Sequence, residues 1–164
     1  MIRRPSYSLF EARAKFCEVQ AGHIFRQIVH PINYFDTSLD IVCRDIKDEN
    51  IIFSSDLSVK LIDFASAVML RPRQHGHRQP IYFDQVYWTM NFGSPKILKG
   101  MSYRAEPAEM WSLGVFFFTI LTGEIPFPGP YSAAASPGCP RHKVEGKASG
   151  ECLEIFGGIL MRNL

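Results

Sequence analysis

The chain has 164 residues, 46% of them hydrophobic, with 18 basic and 16 acidic side chains and a formal charge of +2. That length and apolar content describe one globular domain with a real core and exclude a disordered polymer. The near balance of charge leaves no bulk field to select nucleic acid or an anionic membrane, and neither is expected as a partner.

Cys17, Cys43, Cys139 and Cys152 form no Cys-x-x-Cys pair. Their spacing argues against a zinc ribbon or a disulfide framework and suits a reducing compartment. The start, Met1-Ile2-Arg3-Arg4-Pro5, has charge but no apolar stretch behind it. The longest apolar run, Gly114 to Leu121, is too short to span a bilayer. A soluble intracellular protein is expected, cytoplasmic and with the nucleus as a further compartment.

From Cys17 to Phe35, the residues Val19, Ile24, Phe25, Ile28, Val29 and Ile32 recur at roughly helical spacing. They predict an amphipathic helix, frayed or kinked near Pro31. Ile51-Ile52-Phe53 and Val59-Lys60-Leu61-Ile62 follow as short β-rich runs, separated by the turn-prone Ser54-Ser55-Asp56-Leu57-Ser58. They predict a hairpin, and antiparallel pairing brings Asn50 and Asp63 to the same end. From Arg71 to Gly100 no period persists, and Arg71-Pro72-Arg73, His75-Gly76-His77 and Gln79-Pro80 predict a long exposed loop. The two histidines lack a third ligand at a set spacing, and the arginines lack aromatic interleaving, so the loop is expected to be solvated. Glu106-Pro107 opens a helix expected to run to Thr122 and stop at Gly123. Its run from Trp111 to Leu121 is apolar on nearly every face, the pattern of a helix at the centre of a domain. After Pro128 the composition turns to Pro, Gly, Ser and Ala and then basic. Residues 129–150 are expected as a linker or disordered tail, and Leu153 to Leu160 as a short apolar end without an assigned role.

The chemistry concentrates in Cys43-Arg44-Asp45-Ile46-Lys47-Asp48-Glu49-Asn50 and in Asp63 beyond the hairpin. Asp45 offers a carboxylate that can accept a proton, Lys47 a cation, and Asn50 with Asp63 two hard oxygen ligands. Magnesium takes one or two such protein oxygens and fills its octahedron with water and phosphate. The set suits phosphoryl transfer: Asp45 deprotonating an attacking hydroxyl, Lys47 offsetting charge, Asn50 and Asp63 holding the metal. The residues alone leave a second reading open, a charged loop leading into a hairpin.

Five motifs stand in order: Arg44-Asp45-x-Lys47-x-x-Asn50; Asp63-Phe64 after a hairpin; Ser94-Pro95 with Ile97-Leu98-x-Gly100; Trp111-Ser112-Leu113-Gly114-Val115; and Gly123-x-x-Pro126-Phe127. In this order they resemble the C-terminal lobe of eukaryotic serine/threonine protein kinases over about Phe10 to Phe127. "RDIKDENII" and "KLIDFASA" are most similar to PAS-domain kinases, with Pim kinases second. The resemblance implies an α+β fold, mainly helical, with a small β-hairpin: a partial kinase domain over 1–128 and an unrelated tail over 129–164. It implies Asp45 as catalytic base, Lys47 as phosphate partner, Asn50 and Asp63 as magnesium ligands, Ile52 under the adenine ring of ATP, and Thr89 hydrogen-bonding toward the base. Arg44 matches the arginine that grips a phosphorylated activation loop in many kinases, and Ser66, Thr89 or Ser94 are candidates for that phosphate. Glu49 stands where relatives read a basic residue in the substrate.

The pattern also departs. Cys43 replaces a histidine that packs against the Phe64 position, which should loosen the site. Ala65 replaces a glycine, which should narrow the backbone choices of the loop. Lys96 replaces a glutamate, Trp88 a glycine and Glu109 an aspartate. No Gly-rich phosphate loop and no strand lysine paired with a helix glutamate occurs in the 164 residues. The chain is therefore expected to lack the N-terminal lobe and, alone, to be weakly active or inactive. The expected function is transfer of the γ-phosphoryl of magnesium ATP to serine or threonine of a protein substrate. The alternative is a noncatalytic, pseudokinase-like interaction fragment.

Overall fold

The computed structural model describes residues 6–8, 16–54, 56–75, 77–85, 89–135 and 138–160. In chain order the elements are β1 (Ser6–Ser8), α1 (Glu18–Ser38), β2 (Ile41–Val42), β3 (Ile51–Ser54), β4 (Val59–Leu61) and β5 (Val68–Met69). Then follow β6 (Tyr82–Phe83), α2 (Pro95–Leu98), β7 (Tyr103–Arg104), α3 (Ala105–Thr122), α4 (Pro130–Ala135) and α5 (Gly150–Ile159). The strands pair antiparallel as β1–β3–β4, β2–β5 and β6–β7, so the mainly helical α+β class is as expected.

Helix α3 is the centre. Its fully apolar middle leaves Phe116, Phe117 and Phe118 no more than 4% exposed, and it ends at Gly123, whose φ of 73° is a left-handed cap that favours glycine. Helix α1 packs one side of it: Phe25 stacks on Phe117 at 4.4 Å between ring centres, while Ala21, Ile24, Ile28 and Ile32 are buried. Helix α1 runs through Pro31 and continues to Ser38. A proline costs a helix one hydrogen bond and some crowding, and here the buried stripe on either side outweighs that loss. Gln27 on α1 bolts the hairpin in place, accepting from the Val59 N–H at 3.1 Å and donating to the Leu57 carbonyl at 2.8 Å.

Residues after Pro128 differ from the linker or disordered tail read from composition. They form α4, a 3-10 turn at Arg141–Lys143 and α5, and Ala133, Val144, Cys152, Phe156 and Leu160 enter the main core. Phe156 meets Phe117 at 4.9 Å and Phe118 at 5.6 Å. Spaced at 152, 156 and 160, these residues share one face of a helix, and the other side of the all-round apolar α3 is what they cover. Ser149 caps α5 and is itself gripped by Glu18 of α1, which accepts from its N–H and its hydroxyl at 2.6 Å each.

The stretch from Arg71 to Gly100 is also more built than an exposed loop. Tyr82 pairs with Arg104 and Phe83 with Tyr103. The Arg78 side chain, only 5% exposed, is no solvated charge: it meets Asp36 at 2.5 Å, Asp40 at 2.6 Å and Glu106 at 3.5 Å, and donates to the carbonyl of Arg71 at 3.1 Å. Arg73 adds a second contact to Asp36 at 2.6 Å.

Candidate active site

The predicted hairpin forms, with Ile51 opposite Leu61, Ile52 opposite Lys60 and Phe53 opposite Val59. The Ile62 N–H donates to the Asn50 carbonyl at 2.9 Å, so the register delivers Asp63 one residue beyond the Asn50 end. Asn50 closes a 3-10 turn, Asp48–Asn50, and is buried. Ile52 alternates with the buried Ile51 and Phe53 and so faces the opposite side of the sheet, half-buried.

The loop before the hairpin collects the other predicted residues around one carboxylate. Lys47 Nζ lies 2.8 Å from Asp45 Oδ2 and donates to Thr89 Oγ1 at 3.1 Å. The Thr89 hydroxyl donates to Asp45 Oδ1 at 3.2 Å. Asn50 Nδ2 donates to both the Asp45 carbonyl and Asp45 Oδ2, each at 2.9 Å. Asp45, Lys47, Asn50 and Thr89 thus form a single hydrogen-bonded unit, although Thr89 is 44 positions from Asp45. Asp63 stands exposed, its Oδ1 accepting from the Ala65 N–H at 3.1 Å. Glu49 is exposed and no hydrogen bond of its side chain joins it to this unit.

The departures have physical outcomes. Among the described residues, the left-handed backbone in this loop falls on Asp63, with φ of 60°, and not on Ala65. Aspartate tolerates that region better than most residues, so an alanine at 65 is compatible with the turn. Cys43 is buried, and burial together with Glu109 pushes its thiol up to about 12, which keeps it protonated and unreactive. Phe64 finds Phe35 instead of a histidine, edge to face at 5.6 Å. Trp88 lies outside the described residues.

Sequence reasoning missed the role of Glu109 as a fastener. Its Oε1 accepts the N–H of Cys43 at 2.7 Å and of Arg44 at 3.0 Å, hanging the Asp45 loop on α3. The signal available was a carboxylate two residues before the apolar run of α3. Arg44, at φ 64°, donates from Nε to the Ser66 carbonyl at 2.8 Å and lies 5.1 Å over the Phe83 ring. It therefore ties the hairpin end to β6, worth about 0.5–2 kcal/mol through the ring contact.

The donor set fits magnesium. Asn50 spends its amide hydrogens on Asp45, leaving its oxygen as the group for a cation. Asp63 keeps a second carboxylate oxygen beside the one bonded to Ala65. Among the described residues no group of three His, Cys, Asp or Glu side chains could hold a metal. One carboxylate and one amide are what an ion that keeps its waters and takes phosphate oxygens requires.

A family model, the protein kinase domain, matches residues 5–139. The chain belongs to the protein kinase family. This kinase chain is 33% identical over 159 residues to serine/threonine-protein kinase PSK2 of Saccharomyces cerevisiae, covering 96% of this chain and 13% of that protein. It is 41% identical over 110 residues to the PAS domain-containing serine/threonine-protein kinase of Mus musculus, 67% of this chain and 7% of that one. Ribosomal protein S6 kinase alpha-4 of Homo sapiens matches at 32% over 161 residues, 88% of this chain and 20% of that protein. The kinase chain thus spans a fifth or less of the length of these relatives. The likeness expected to end at Phe127 continues beyond it, as the packed α5 does. Kinases of this family use ATP with magnesium. No helix among the described residues is long and apolar enough to cross a membrane.

Proposed function

We propose that this chain carries the catalytic centre of a serine/threonine protein kinase that transfers the γ-phosphoryl of magnesium ATP to hydroxyls of a protein substrate. The observation that carries the reading is the Asp45 carboxylate, fixed from three sides by Lys47, Asn50 and Thr89. A carboxylate has about four acceptor positions. Oδ2 already takes Asn50 and Lys47, whereas Oδ1 takes Thr89 alone. Oδ1 therefore has room for the hydroxyl of an incoming serine or threonine, and would receive its proton as the new P–O bond forms.

Lys47 reaches across Asp45 to Thr89 and is placed to follow charge onto the transferred group while Thr89 keeps the base oriented. Asn50 and Asp63 would hold magnesium, which supplies neutralisation of phosphate charge when bound. Ile52 offers an apolar surface on the hairpin's outer face for the adenine ring. Its compartment is read as the cytoplasm, with the nucleus second, in keeping with four free cysteines.

The experiment is incubation of the protein with radiolabelled magnesium ATP and a library of serine- and threonine-containing peptides, followed by phosphoamino-acid identification. Label on serine or threonine supports the reading. A folded protein that binds magnesium nucleotide and transfers nothing would leave the noncatalytic reading in its place.

A further inference from the structure

Helix α1 turns its buried stripe toward α3 and leaves the opposite side uncovered. Val19, His23, Arg26, His30 and Tyr34 recur there at three- and four-residue steps, which keeps them on one face, and all five are exposed. The two apolar members stand well out of the surface, Val19 79% exposed and Tyr34 54%. From position 19 to position 34 the helix rises about 22 Å, at 1.5 Å per residue.

The composition of this face is not that of a solvated one. No exposed residue of α1 is a lysine, aspartate or glutamate, although those side chains and arginine make up 21% of the chain. The two carboxylates of the helix lie off the stripe and are spent, Glu18 on Ser149 and Asp36 on Arg73 and Arg78. On the other flank Gln27 holds the hairpin. Among the described residues, the side chains of His23, Arg26 and His30 have no hydrogen-bond or ion-pair partner. Protein interfaces favour arginine and aromatic residues and are depleted in lysine, glutamate and aspartate. The outer face of α1 has that pattern: three N–H-bearing side chains in the middle and an apolar one at each end.

The charge on the face selects its occupant. A second copy of the chain, laid antiparallel, would set Val19 against Tyr34 but also Arg26 against Arg26, with no carboxylate on either face to offset the repulsion. Nucleic acid draws on several cations to face its phosphates, and this stripe holds one arginine. We propose that the outer face of α1 docks an acidic amphipathic helix of another protein. Its carboxylates accept from His23, Arg26 and His30, and an apolar side chain near each end packs on Val19 or Tyr34.

The test is titration of the isotopically labelled protein with a helical peptide of about 20 residues, enough to cover the stripe. The peptide carries a leucine near each end of one face and glutamates between them; a second peptide has lysine in place of each glutamate. Amide shifts are followed in the wild type, Arg26→Glu, Val19→Ser and Lys99→Glu. Arg26 and Lys99 are both exposed, so these variants retain the fold. Saturable shifts along α1 are expected with the glutamate peptide alone. Arg26→Glu should bind it about tenfold more weakly, because the reversal exchanges attraction for repulsion. Val19→Ser should bind about fivefold more weakly through the lost apolar contact, and Lys99→Glu, the same charge change elsewhere, as the wild type does. The proposal is overturned if no saturable shift appears on α1, if the lysine peptide binds equally, or if Lys99→Glu weakens binding as much as Arg26→Glu. Concentration-dependent dimerisation that shifts the α1 amides would give the face to a second copy and overturn it as well.

Discussion

Glu109 Oε1 accepts the Cys43 N–H at 2.7 Å, joining α3 to the residue two before the candidate base across 66 positions of sequence. The same oxygen takes the Arg44 N–H at 3.0 Å. Arg44 is held in a left-handed conformation that costs about 1–2 kcal/mol, so the bond fixes a turn that local preference opposes. Glu109→Ala should strand two buried N–H groups and lower stability by about 2–4 kcal/mol in urea unfolding. Glu109→Gln, which keeps an acceptor oxygen, should cost less than half of that.

Burial pushes the Glu109 carboxyl up from 4.5 to about 7, against the pull of the Arg44 and Cys43 N–H groups, and Asp36 and Glu106 add repulsion. The unfolded chain ionises this residue near 4.5, so between that pH and about 7 the native state binds the extra proton. The resulting stability is fully present below the lower value and is lost as pH rises through the upper one. Urea midpoints at about pH 5 and pH 7.5 check it: the wild type should lose stability across the interval, and Glu109→Gln should remove that part of the slope.

Gly114 lies where α3 packs against the end of α5. A Cβ there would stand 2.5 Å from Ile159 Cγ2 and 2.9 Å from Leu160 Cδ2. Gly114→Ala should therefore push α5 off α3 at a cost of about 1–3 kcal/mol. Hydrogen exchange should rise in residues 150–160 before it rises in α1; unchanged exchange there would contradict the packing described.

Arg78 is the linchpin of the segment after β5. Among the described residues, Arg78→Ala leaves Asp36, Asp40 and Glu106 to face one another with Arg73 and Arg104 in support. The three carboxylates are each a fifth to a quarter exposed, so the loss should be about 1–3 kcal/mol, short of a fully buried pair. Limited proteolysis should find new cleavage between residues 71 and 80. Arg78→Lys keeps the charge without the fork and should restore only part of the protection.

The strongest local signals were legible. The α3 run, the Gly123 stop, the hairpin and the placement of Asn50 and Asp63 at the same end of it all follow from period and turn chemistry. Thr89 at Asp45 was legible only through resemblance, because a contact 44 positions away leaves no local period. Residues 129–160 misled because their Gly, Ser and Ala content imitates a linker, while the apolar positions that bury them are spread thinly and have meaning only against an α3 that is apolar all round. Arg78 misled for a similar reason: its partners are Asp36 in the last turn of α1 and Asp40 just beyond it, and a charge in a Pro- and Gly-rich stretch reads as solvated until those partners are placed.

The held carboxylate is the centre of the proposed chemistry, and Asp45→Asn tests it directly. Phosphoryl transfer to a serine or threonine peptide should be measured for wild type and Asp45→Asn, alongside magnesium-nucleotide affinity and the urea midpoint. The predicted result is a loss of about 10²–10⁴-fold in transfer rate, with nucleotide affinity and midpoint near those of the wild type. Transfer at the wild-type rate by Asp45→Asn would contradict the assignment of Asp45 as the base.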